Sequence, residues 1–291
     1  MAAGEADRAA GARRRVVAGL LGRGIQASRT PGMHEAEGAR LGLDYRYRLL
    51  DFDLLGLDDG VLPETIAWAA RHGFAGLNVT HPFKESVTAW LDALAPEAAA
   101  IGAVNTIVLR DGRSTGHNTD CWGFAESFRR GMAEAGRGRV VLIGAGGAGA
   151  AVARALLGLG VERLDIHDVD GAKAARLAFG LAAAFGESRA AAAADLEAAV
   201  TAADGLVNAT PVGMAKYPGM PIAPASLRRE QWVADIVYFP RETQLLRKAR
   251  EAGCRTLSGT GMAVFQAVRA FELISGVVPD AGQMARHFDE A

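Results

Sequence analysis

Two polar segments of the sequence could carry proton transfer. NVTHPFK (78–84) begins where a buried strand should end, and GHNTD (116–120) ends in a carboxylate between an apolar strand and a helix. In open α/β sheets, ligands bind at the carboxyl ends of the strands. A lysine and an aspartate that face each other across one cleft can both bond to a substrate hydroxyl. Lys84 and Asp120 are candidates for such a pair, although a lysine taken alone is as often a solvated surface residue.

A glycine-rich segment provides a second candidate site. GAGGAG (144–149) follows a strongly apolar strand and precedes an apolar helix, which is the context that dinucleotide binding requires. The glycines permit a tight turn, and the free amides at the start of the helix favour a pyrophosphate. We predict that Gly144, Gly146, Gly147 and Gly149 bind a cofactor. The alternative is a turn that serves packing only.

The next strand ends in an acid that predicts which cofactor binds. Asp168, 19 positions after Gly149, lies where a carboxylate accepts hydrogen bonds from the adenosine ribose hydroxyls. It would repel a 2'-phosphate, and the next four residues, Val169 to Ala172, include no arginine. We therefore predict NAD, with NADP as the less favoured cofactor. The alternative is that Asp168 and Asp170 only cap the following helix.

Alternating apolar segments predict an α/β fold. The first part of the chain reads strand, helix, strand, helix, which predicts a parallel open sheet. From Arg139 a second alternation has about the length of one dinucleotide-binding domain. The segments of the first part and of the carboxyl-terminal region predict strands at 14–22, 45–52, 73–79 and 103–109, and helices at 31–41, 62–72, 83–94, 262–275 and 281–288.

Two further patterns carry structural expectations. The alanine tract 190–194 is typical of a helix, because alanine has the highest helix propensity. Trp68, Trp90 and Trp122 fall on predicted helical faces and are expected in the core rather than against a cofactor.

The composition excludes several classes of partner. With 32 basic and 33 acidic residues the net charge is -1, which gives no electrostatic basis for binding nucleic acid or an anionic membrane. Small molecules are the expected partners. Cys121 and Cys254 have neither disulfide nor metal-ligand spacing, so we expect a reducing cytoplasm and no metal site. The apolar stretch 140–161 is rich in glycine and interrupted by Arg154, which argues against a membrane span.

Eight ordered motifs resemble one known family. They are SRTPGMHEAEG, NVTHPFK, AVNT, GHNTD, GAGGAG, NATPVGM, DIVYFPRET and GTGMAVFQA. In this order they resemble the shikimate dehydrogenase family from Leu20 to the final helices. The resemblance implies an N-terminal open α/β substrate domain, a Rossmann-like NAD-binding domain, and C-terminal helices that pack back on the first domain. The expected boundaries are a disordered extension at 1–15, a substrate-binding and catalytic domain at 16–120 plus 262–291, and a dinucleotide-binding domain at 121–261.

The resemblance also implies residue roles. Hydride passes between the nicotinamide and a ring carbinol carbon, with Lys84 and Asp120 as the catalytic pair. Which of the two is the formal base stays open, because a coupled pair shares its proton. Ser28 and Thr30 bind the substrate carboxylate in this reading. The other implied substrate-binding residues are Asn78, Thr80, Asn105, Tyr238 and Gln266, and the residues implied near the nicotinamide and its ribose are Asn208, Thr210, Met214 and Gly261.

Two departures from the pattern of the biosynthetic family members favour the branch that oxidises quinate as well as shikimate with NAD. Biosynthetic members commonly have two serines at the carboxylate site and an arginine for the 2'-phosphate. Here the second serine is Thr30 and the arginine position is Val169. Thr30 would help admit the extra hydroxyl of quinate. The alternative is that the exchange of serine for threonine is neutral for substrate choice. The expected reactions are oxidation of quinate to 3-dehydroquinate and of shikimate to 3-dehydroshikimate.

Three other functions stay open. They are a biosynthetic NADP-dependent shikimate dehydrogenase, an aminoquinate or aminoshikimate dehydrogenase, and a non-catalytic quinate or shikimate sensor. The intact Lys84, Asp120 and GAGGAG motif argue against the sensor. The sequence also leaves open the physiological direction, the main substrate, and whether the protein is a monomer or a homodimer.

Overall fold

The structure, a computed structural model, describes residues 13–290. They divide into two compact units. The first contains the chain up to Leu94, Val104–His117 and the chain from Ala270; the second contains Ala95–Ala103 and Asn118–Arg269. The first twelve residues of the predicted extension lie outside the described residues, and Arg15 begins the first strand. The domain boundaries expected from the sequence stay a prediction.

Strands and α-helices alternate along most of the described chain, with short 3-10 helices at Asp59–Val61, Ser86–Trp90 and Pro224–Ser226. In chain order they are β1 (Arg15–Gly22), α1 (Thr30–Arg40), β2 (Asp44–Asp51), α2 (Leu62–Arg71), β3 (Gly76–Val79), β4 (Ala93–Leu94), α3 (Pro96–Ile101), β5 (Thr106–Arg110), β6 (Arg113–His117), α4 (Thr119–Gly131), β7 (Arg139–Ile143), α5 (Gly147–Gly158), β8 (Arg163–His167), α6 (Gly171–Phe185), β9 (Ala190–Ala192), α7 (Leu196–Ala202), β10 (Gly205–Asn208), β11 (Trp232–Asp235), α8 (Gln244–Glu251), β12 (Arg255–Ser258), α9 (Gly259–Ser275) and α10 (Ala281–Glu290).

The sheet of the first unit has the strand order β2-β1-β3-β5-β6-β4. β1 pairs in parallel with both β2 and β3, which explains why its side chains are almost continuously buried. The prediction of a parallel sheet is wrong beyond β3, because β5 runs antiparallel to β3 and forms a hairpin with β6. Asp111 and Gly112 turn this hairpin with φ values of 53° and 72°. A tight turn of this kind reverses the chain, so the neighbouring strands must be antiparallel.

The helix predicted at 83–94 is wrong. The structure has a 3-10 helix at Ser86–Trp90 and then β4, which pairs with β6. Asp92 reinforces this pairing, since its carboxylate accepts hydrogen bonds from the backbone N and the Oγ of Ser114, at 2.7 and 2.8 Å. Backbone pairing to a strand distant in sequence therefore overrides the helical spacing of the apolar residues.

The second unit contains a parallel sheet with the order β12-β11-β10-β7-β8-β9. Counted along this unit, the order is that of the doubly wound dinucleotide-binding fold, with the switch point between β7 and β10. Its core includes Val140, Leu142, Leu156 and Ile166, which the sheet and its covering helices bury. The predicted α/β class with a Rossmann-like domain is confirmed.

Two structural expectations are wrong. The alanine tract forms β9 rather than a helix, because Ala190 pairs with Leu164 at the edge of the parallel sheet, and this pairing outweighs alanine's helix propensity. The tryptophans are not core residues: the exposed fractions are 40% for Trp68, 55% for Trp90 and 39% for Trp122. Trp68 instead stacks on the neighbouring His72, with ring centroids 4.4 Å apart.

Candidate active site

The predicted carboxylate-binding residues lie where β1 leads into α1 in the first unit. Ser28 lies in the connecting loop, one residue before the N-cap Arg29. Thr30 is the first residue of α1 and is followed by Pro31, whose fixed φ suits a first helical turn. The backbone N of Thr30 lies 3.3 Å from the Oγ of Ser28, which accepts its hydrogen bond. Both side chains are half-buried. The two hydroxyls are thus carried by one short segment.

Asn78 is the second-last residue of β3, the strand next to β1, and lies towards the same edge of this sheet. Its side chain is 5% exposed, and its Oδ1 accepts a 2.7 Å hydrogen bond from the hydroxyl of Tyr47. Its Nδ2 donates to the Oγ1 of Thr106 and the carbonyl oxygen of Asn105, at 3.1 and 3.3 Å. Both amide hydrogens are therefore engaged by the protein. Any bond from Asn78 to a substrate must use the remaining lone pair of its oxygen.

Tyr47 and Thr106 were not predicted as site residues. Tyr47 is buried, and burial raises the pKa of its hydroxyl well above the ordinary value, so it acts as a neutral donor to Asn78. Thr106 donates from its Oγ1 to the Oδ1 of Asn105 at 3.2 Å. The AVNT motif contains Asn105 and Thr106, but the strand pairing that places them beside Asn78 is not visible in the sequence.

Lys84 and Thr80 follow β3 along the chain. Thr80 donates from its backbone N to the carbonyl oxygen of Leu21 at 3.0 Å, so this segment lies beside the end of β1. The carbonyl oxygen of Lys84 accepts a 2.8 Å hydrogen bond from the N of Val104, and the Lys84 side chain is half-buried. Ser28, Thr30, Asn78, Thr80, Lys84 and Asn105 thus belong to one unit and lie on adjacent strand ends or their continuations.

Asp120 belongs to the second unit, in the first turn of α4. Asn118 caps this helix, since its Oδ1 accepts a 3.2 Å hydrogen bond from the N of Cys121. The Nδ2 of Asn118 donates to the carbonyl oxygen of Ala103 at 2.9 Å, which anchors the cap. Asp120 is 5% exposed. The first turn is the positive end of the helix dipole, a favourable place for a carboxylate.

The glycine segment connects β7 to α5 in the second unit. Gly144 has a φ of 104°, a left-handed conformation that only glycine adopts without strain. A Cβ at Gly149 would overlap the carbonyl oxygen of Gly144, so this glycine is required by the turn itself. At Gly146, the N-cap of α5, a Cβ would meet nothing within 4 Å. Open space therefore lies beside Gly146, where α5 begins.

Asp168 lies just beyond the end of β8, directly beside the glycine segment. Its Oδ2 accepts a 2.7 Å hydrogen bond from the backbone N of Ala145, and its Oδ1 accepts one from the N of Asp170 at 2.9 Å. The side chain of Val169 is fully exposed. Asp170 caps α6 by accepting from the N of Ala172 and of Lys173. Capping is thus the role of Asp170, whereas Asp168 contacts the glycine loop.

A buried network holds the NATPVGM segment. The Oδ1 of Asn208 accepts hydrogen bonds from the N and the Oγ1 of Thr210, at 3.0 and 2.7 Å. Its Nδ2 donates to the carboxylate of Asp235, which also accepts a 2.7 Å bond from the Oγ1 of Thr243. Burial raises the pKa of Asp235 above its ordinary value. Asn208 and Thr210 thus shape a loop that ends at the exposed Met214.

Asp235 and Thr243 were missed as individual residues, although both lie in the DIVYFPRET motif. Tyr238 of the same motif is 47% exposed in the segment that follows β11. Gly261 lies in the first turn of α9, where a Cβ would overlap the Oγ of Ser127. Gln266 follows on α9 and donates to the carbonyl oxygen of Ala263 at 3.0 Å. The predicted residues of the second unit are Asp120, Gly144, Gly146, Gly147, Gly149, Asp168, Asn208, Thr210, Met214, Tyr238, Gly261 and Gln266.

Two further features concern residues 13–290, the part of the chain that the structure describes. No group of three or more His, Cys, Asp or Glu side chains in this range is arranged to hold a metal ion. No helix in the same range is long and apolar enough to cross a membrane.

Comparison with known proteins identifies the family. Residues 20–107 match the model of the shikimate dehydrogenase substrate binding domain. The chain is 53% identical over 268 residues to the shikimate dehydrogenase (NADP(+)) of Streptomyces avermitilis, covering 91% of this chain and 92% of that one. The chain belongs to the shikimate dehydrogenase family of oxidoreductases.

Members of the family that use different cofactors are similar to this chain. The quinate/shikimate dehydrogenase (NAD(+)) of Corynebacterium efficiens is 46% identical over 276 residues, which are 94% of this chain and 97% of that one. The solved structure of quinate dehydrogenase from Corynebacterium glutamicum in complex with NAD superposes with a TM-score of 0.91. It is 42% identical and covers 96% of this chain and 100% of that chain. Overall identity therefore does not by itself select the cofactor.

Proposed function

We propose that this family member oxidises quinate and shikimate to their 3-dehydro forms with NAD as the cofactor. The observation that carries the proposal is the position of Asp168. Its carboxylate adjoins the glycine segment through Ala145, and the next side chain is the fully exposed Val169 rather than a cation. A carboxylate in this place accepts hydrogen bonds from ribose hydroxyls and repels a 2'-phosphate.

The residues around the glycine segment fit a dinucleotide. The open space at Gly146 and the amides at the start of α5 suit a pyrophosphate, which is attracted to the N-terminus of a helix. Gly144, Gly147 and Gly149 would complete this part of the site. In the proposal Asn208, Thr210, Met214 and Gly261 lie nearer the nicotinamide and its ribose. Bound there, NAD would supply the acceptor for the hydride that leaves the ring carbinol carbon of the substrate.

Lys84 and Asp120 handle the proton in the proposed reaction. As the C–H and O–H bonds of the carbinol break and a carbonyl forms, the pair accepts the hydroxyl proton and passes it to solvent. Ser28 and Thr30 bind the carboxylate of the substrate and so fix which ring carbon reacts. Orientation of the ring is completed by hydroxyl contacts, for which we propose Asn78, Thr80, Asn105, Tyr238 and Gln266.

The same proposal covers partners and location. Small molecules are the partners, with no nucleic acid and no membrane surface, because the net charge is -1. Both cysteines, Cys121 and Cys254, are free, which fits a reducing cytoplasm. The protein acts as a monomer or a homodimer.

One observation favours a second candidate, a biosynthetic NADP-dependent shikimate dehydrogenase. It is the 53% identity to the Streptomyces avermitilis protein, whose name specifies NADP(+). Initial oxidation rates for quinate and for shikimate, each with NAD and with NADP at one alkaline pH, decide between the two. Turnover of both acids with NAD and little with NADP supports the proposal. Reaction of shikimate alone, with NADP alone, contradicts it.

A further inference from the structure

Asp51 is a buried carboxylate to which the proposed reaction assigns no role. It is the last residue of β2 and is 2% exposed. Its Oδ1 accepts hydrogen bonds from the backbone N of Gly24 at 3.0 Å and of Asp53 at 3.1 Å. Its Oδ2 accepts from the backbone N of Ile25 at 3.1 Å and from the Nε2 of Gln26 at 2.9 Å. A carboxylate offers about four lone-pair positions, so Asp51 is fully engaged.

Three of these four donors belong to the loop that leads from β1 to α1. Beyond them, the backbone N of Ser28 donates to the carbonyl oxygen of Ile25 at 3.0 Å. The Oγ of Ser28 then accepts the hydrogen bond from the N of Thr30. One continuous set of bonds therefore runs from Asp51 through Ile25 to the two hydroxyl residues.

The same loop is also held from the side of β3. The backbone N of Arg23 donates to the carbonyl oxygen of His81 at 3.2 Å. A Cβ at Gly22 would overlap the side chain of Thr80, which shows how closely the two segments approach. The loop is therefore fixed between the Asp51 carboxylate and the segment that continues to Lys84.

Asp51 must be ionised to hold the loop in this way. Burial raises the pKa of Asp51, but the hydrogen bonds from Gln26, Ile25, Gly24 and Asp53 outweigh it and hold the pKa below its ordinary value. An amide in its place would present an NH2 group to backbone N–H donors and lose two of the four bonds. The loop conformation thus depends on the charge as well as on the size of this side chain.

We propose that Asp51 is a positioning residue for substrate binding, which holds the Gly24–Gln26 loop so that Ser28 and Thr30 present their hydroxyls to the substrate carboxylate. This inference rests on the proposed function, in which these two residues bind that carboxylate. Asp51 acts through the loop and does not touch the substrate itself.

The test compares quinate with its methyl ester, which keeps the ring hydroxyls but lacks the charge that Ser28 and Thr30 bind. Asp51→Asn is the variant, and Asp111→Asn is the matched control, because it makes the same change at an exposed residue in the turn between β5 and β6. We expect Asp51→Asn to lower kcat/KM for quinate by about tenfold or more, mainly through KM. The value of kcat/KM for the ester should fall much less, and the KM for NAD should stay within about twofold of the wild-type value.

Three results would count against the inference. If Asp51→Asn lowers kcat/KM equally for quinate and for its methyl ester, Asp51 has a general structural role and the inference is overturned. If Asp51→Asn does not fold, Gln26→Leu replaces it, because Gln26 is exposed and supplies one of the four donors. An unchanged preference for the acid in Gln26→Leu then overturns it. A wild-type enzyme that oxidises acid and ester equally well refutes the proposed role of Ser28 and Thr30 itself, and the inference falls with it.

Discussion

The carboxylate of Asp168 accepts a 2.7 Å hydrogen bond from the backbone N of Ala145 inside the glycine segment. The residue proposed to select NAD therefore also holds the loop on which any dinucleotide would bind. Charge selection and loop geometry are coupled at this one side chain. Substitutions at Asp168 should consequently affect both the choice of cofactor and the conformation of the glycine segment.

Asp168→Ala should weaken NAD without creating an NADP enzyme. It removes the acceptor of the Ala145 amide and the proposed acceptor of the ribose hydroxyls, and hydrogen bonds to charged groups contribute about 1.5–3 kcal/mol each. We expect the KM for NAD to rise by about tenfold or more, while kcat/KM for NADP rises little.

Asp168→Ser combined with Val169→Arg is the matched comparison for that variant. Serine can still accept from the Ala145 amide, and the fully exposed Val169 leaves room for a guanidinium. The ratio of kcat/KM for NADP to that for NAD should rise in this double variant. A strong gain for NADP in Asp168→Ala alone would contradict the coupling.

Gly149→Ala should lower the stability of the protein, whereas Gly146→Ala should weaken cofactor binding. At Gly149 a Cβ would overlap the carbonyl oxygen of Gly144, so we expect a clear fall in Tm. At Gly146 the Cβ would meet nothing within 4 Å, so Tm should hold while the KM for NAD rises. Thermal unfolding and cofactor titration distinguish the two effects. A Gly146→Ala variant with unchanged cofactor affinity would remove Gly146 from the proposed site.

Lys84→Ala and Asp120→Asn should lower turnover far more than substrate affinity. General acid–base catalysis contributes about a hundredfold to ten-thousandfold, and we expect losses in kcat of that order. Because the two residues are proposed to act as one unit, the double variant should be little worse than either single variant. Lys173→Ala, at an exposed lysine on α6, is the control. Near-normal kcat in Lys84→Ala would refute the assignment.

His34 should make the protein less stable in acid. It is fully buried, and burial lowers its pKa to about 3, whereas the unfolded chain has the ordinary value of 6.5. The unfolded state therefore binds more protons, so the stability is fully present above pH 6.5 and is lost as the pH falls towards 3. Between pH 7.5 and 5 the loss is about 2 kcal/mol.

His34→Phe removes this titration and suits a position already packed against Tyr45, Tyr47 and Phe271. Urea unfolding at several pH values should show the wild type losing stability relative to the variant as the pH falls. Parallel curves for the two proteins would mean that another group causes the acid sensitivity.

Many of the elements could be predicted because their signals are local. β1, β2, α1 and α2 follow from apolar runs and helical spacing, and the turn before α5 follows from glycines whose conformation the chain itself requires. The wrong predictions involve strands whose pairing partners are distant in sequence. β4 and β9 exist because β6 and β8 lie beside them, and local propensity contains no information about those neighbours.

The candidate site divides in the same way. The sequence alone determined the family, through eight motifs in order, and the residue types able to transfer a proton or bind a dinucleotide. Only the tertiary structure showed that Tyr47 engages Asn78, that Asp235 holds Asn208, and that Asp51 holds the loop before Ser28. These supporting groups are separated by 26 to 31 positions along the chain. Hydrogen bonds over such separations depend on which strand ends the fold makes adjacent, and that is a property of the packed sheet rather than of any local segment.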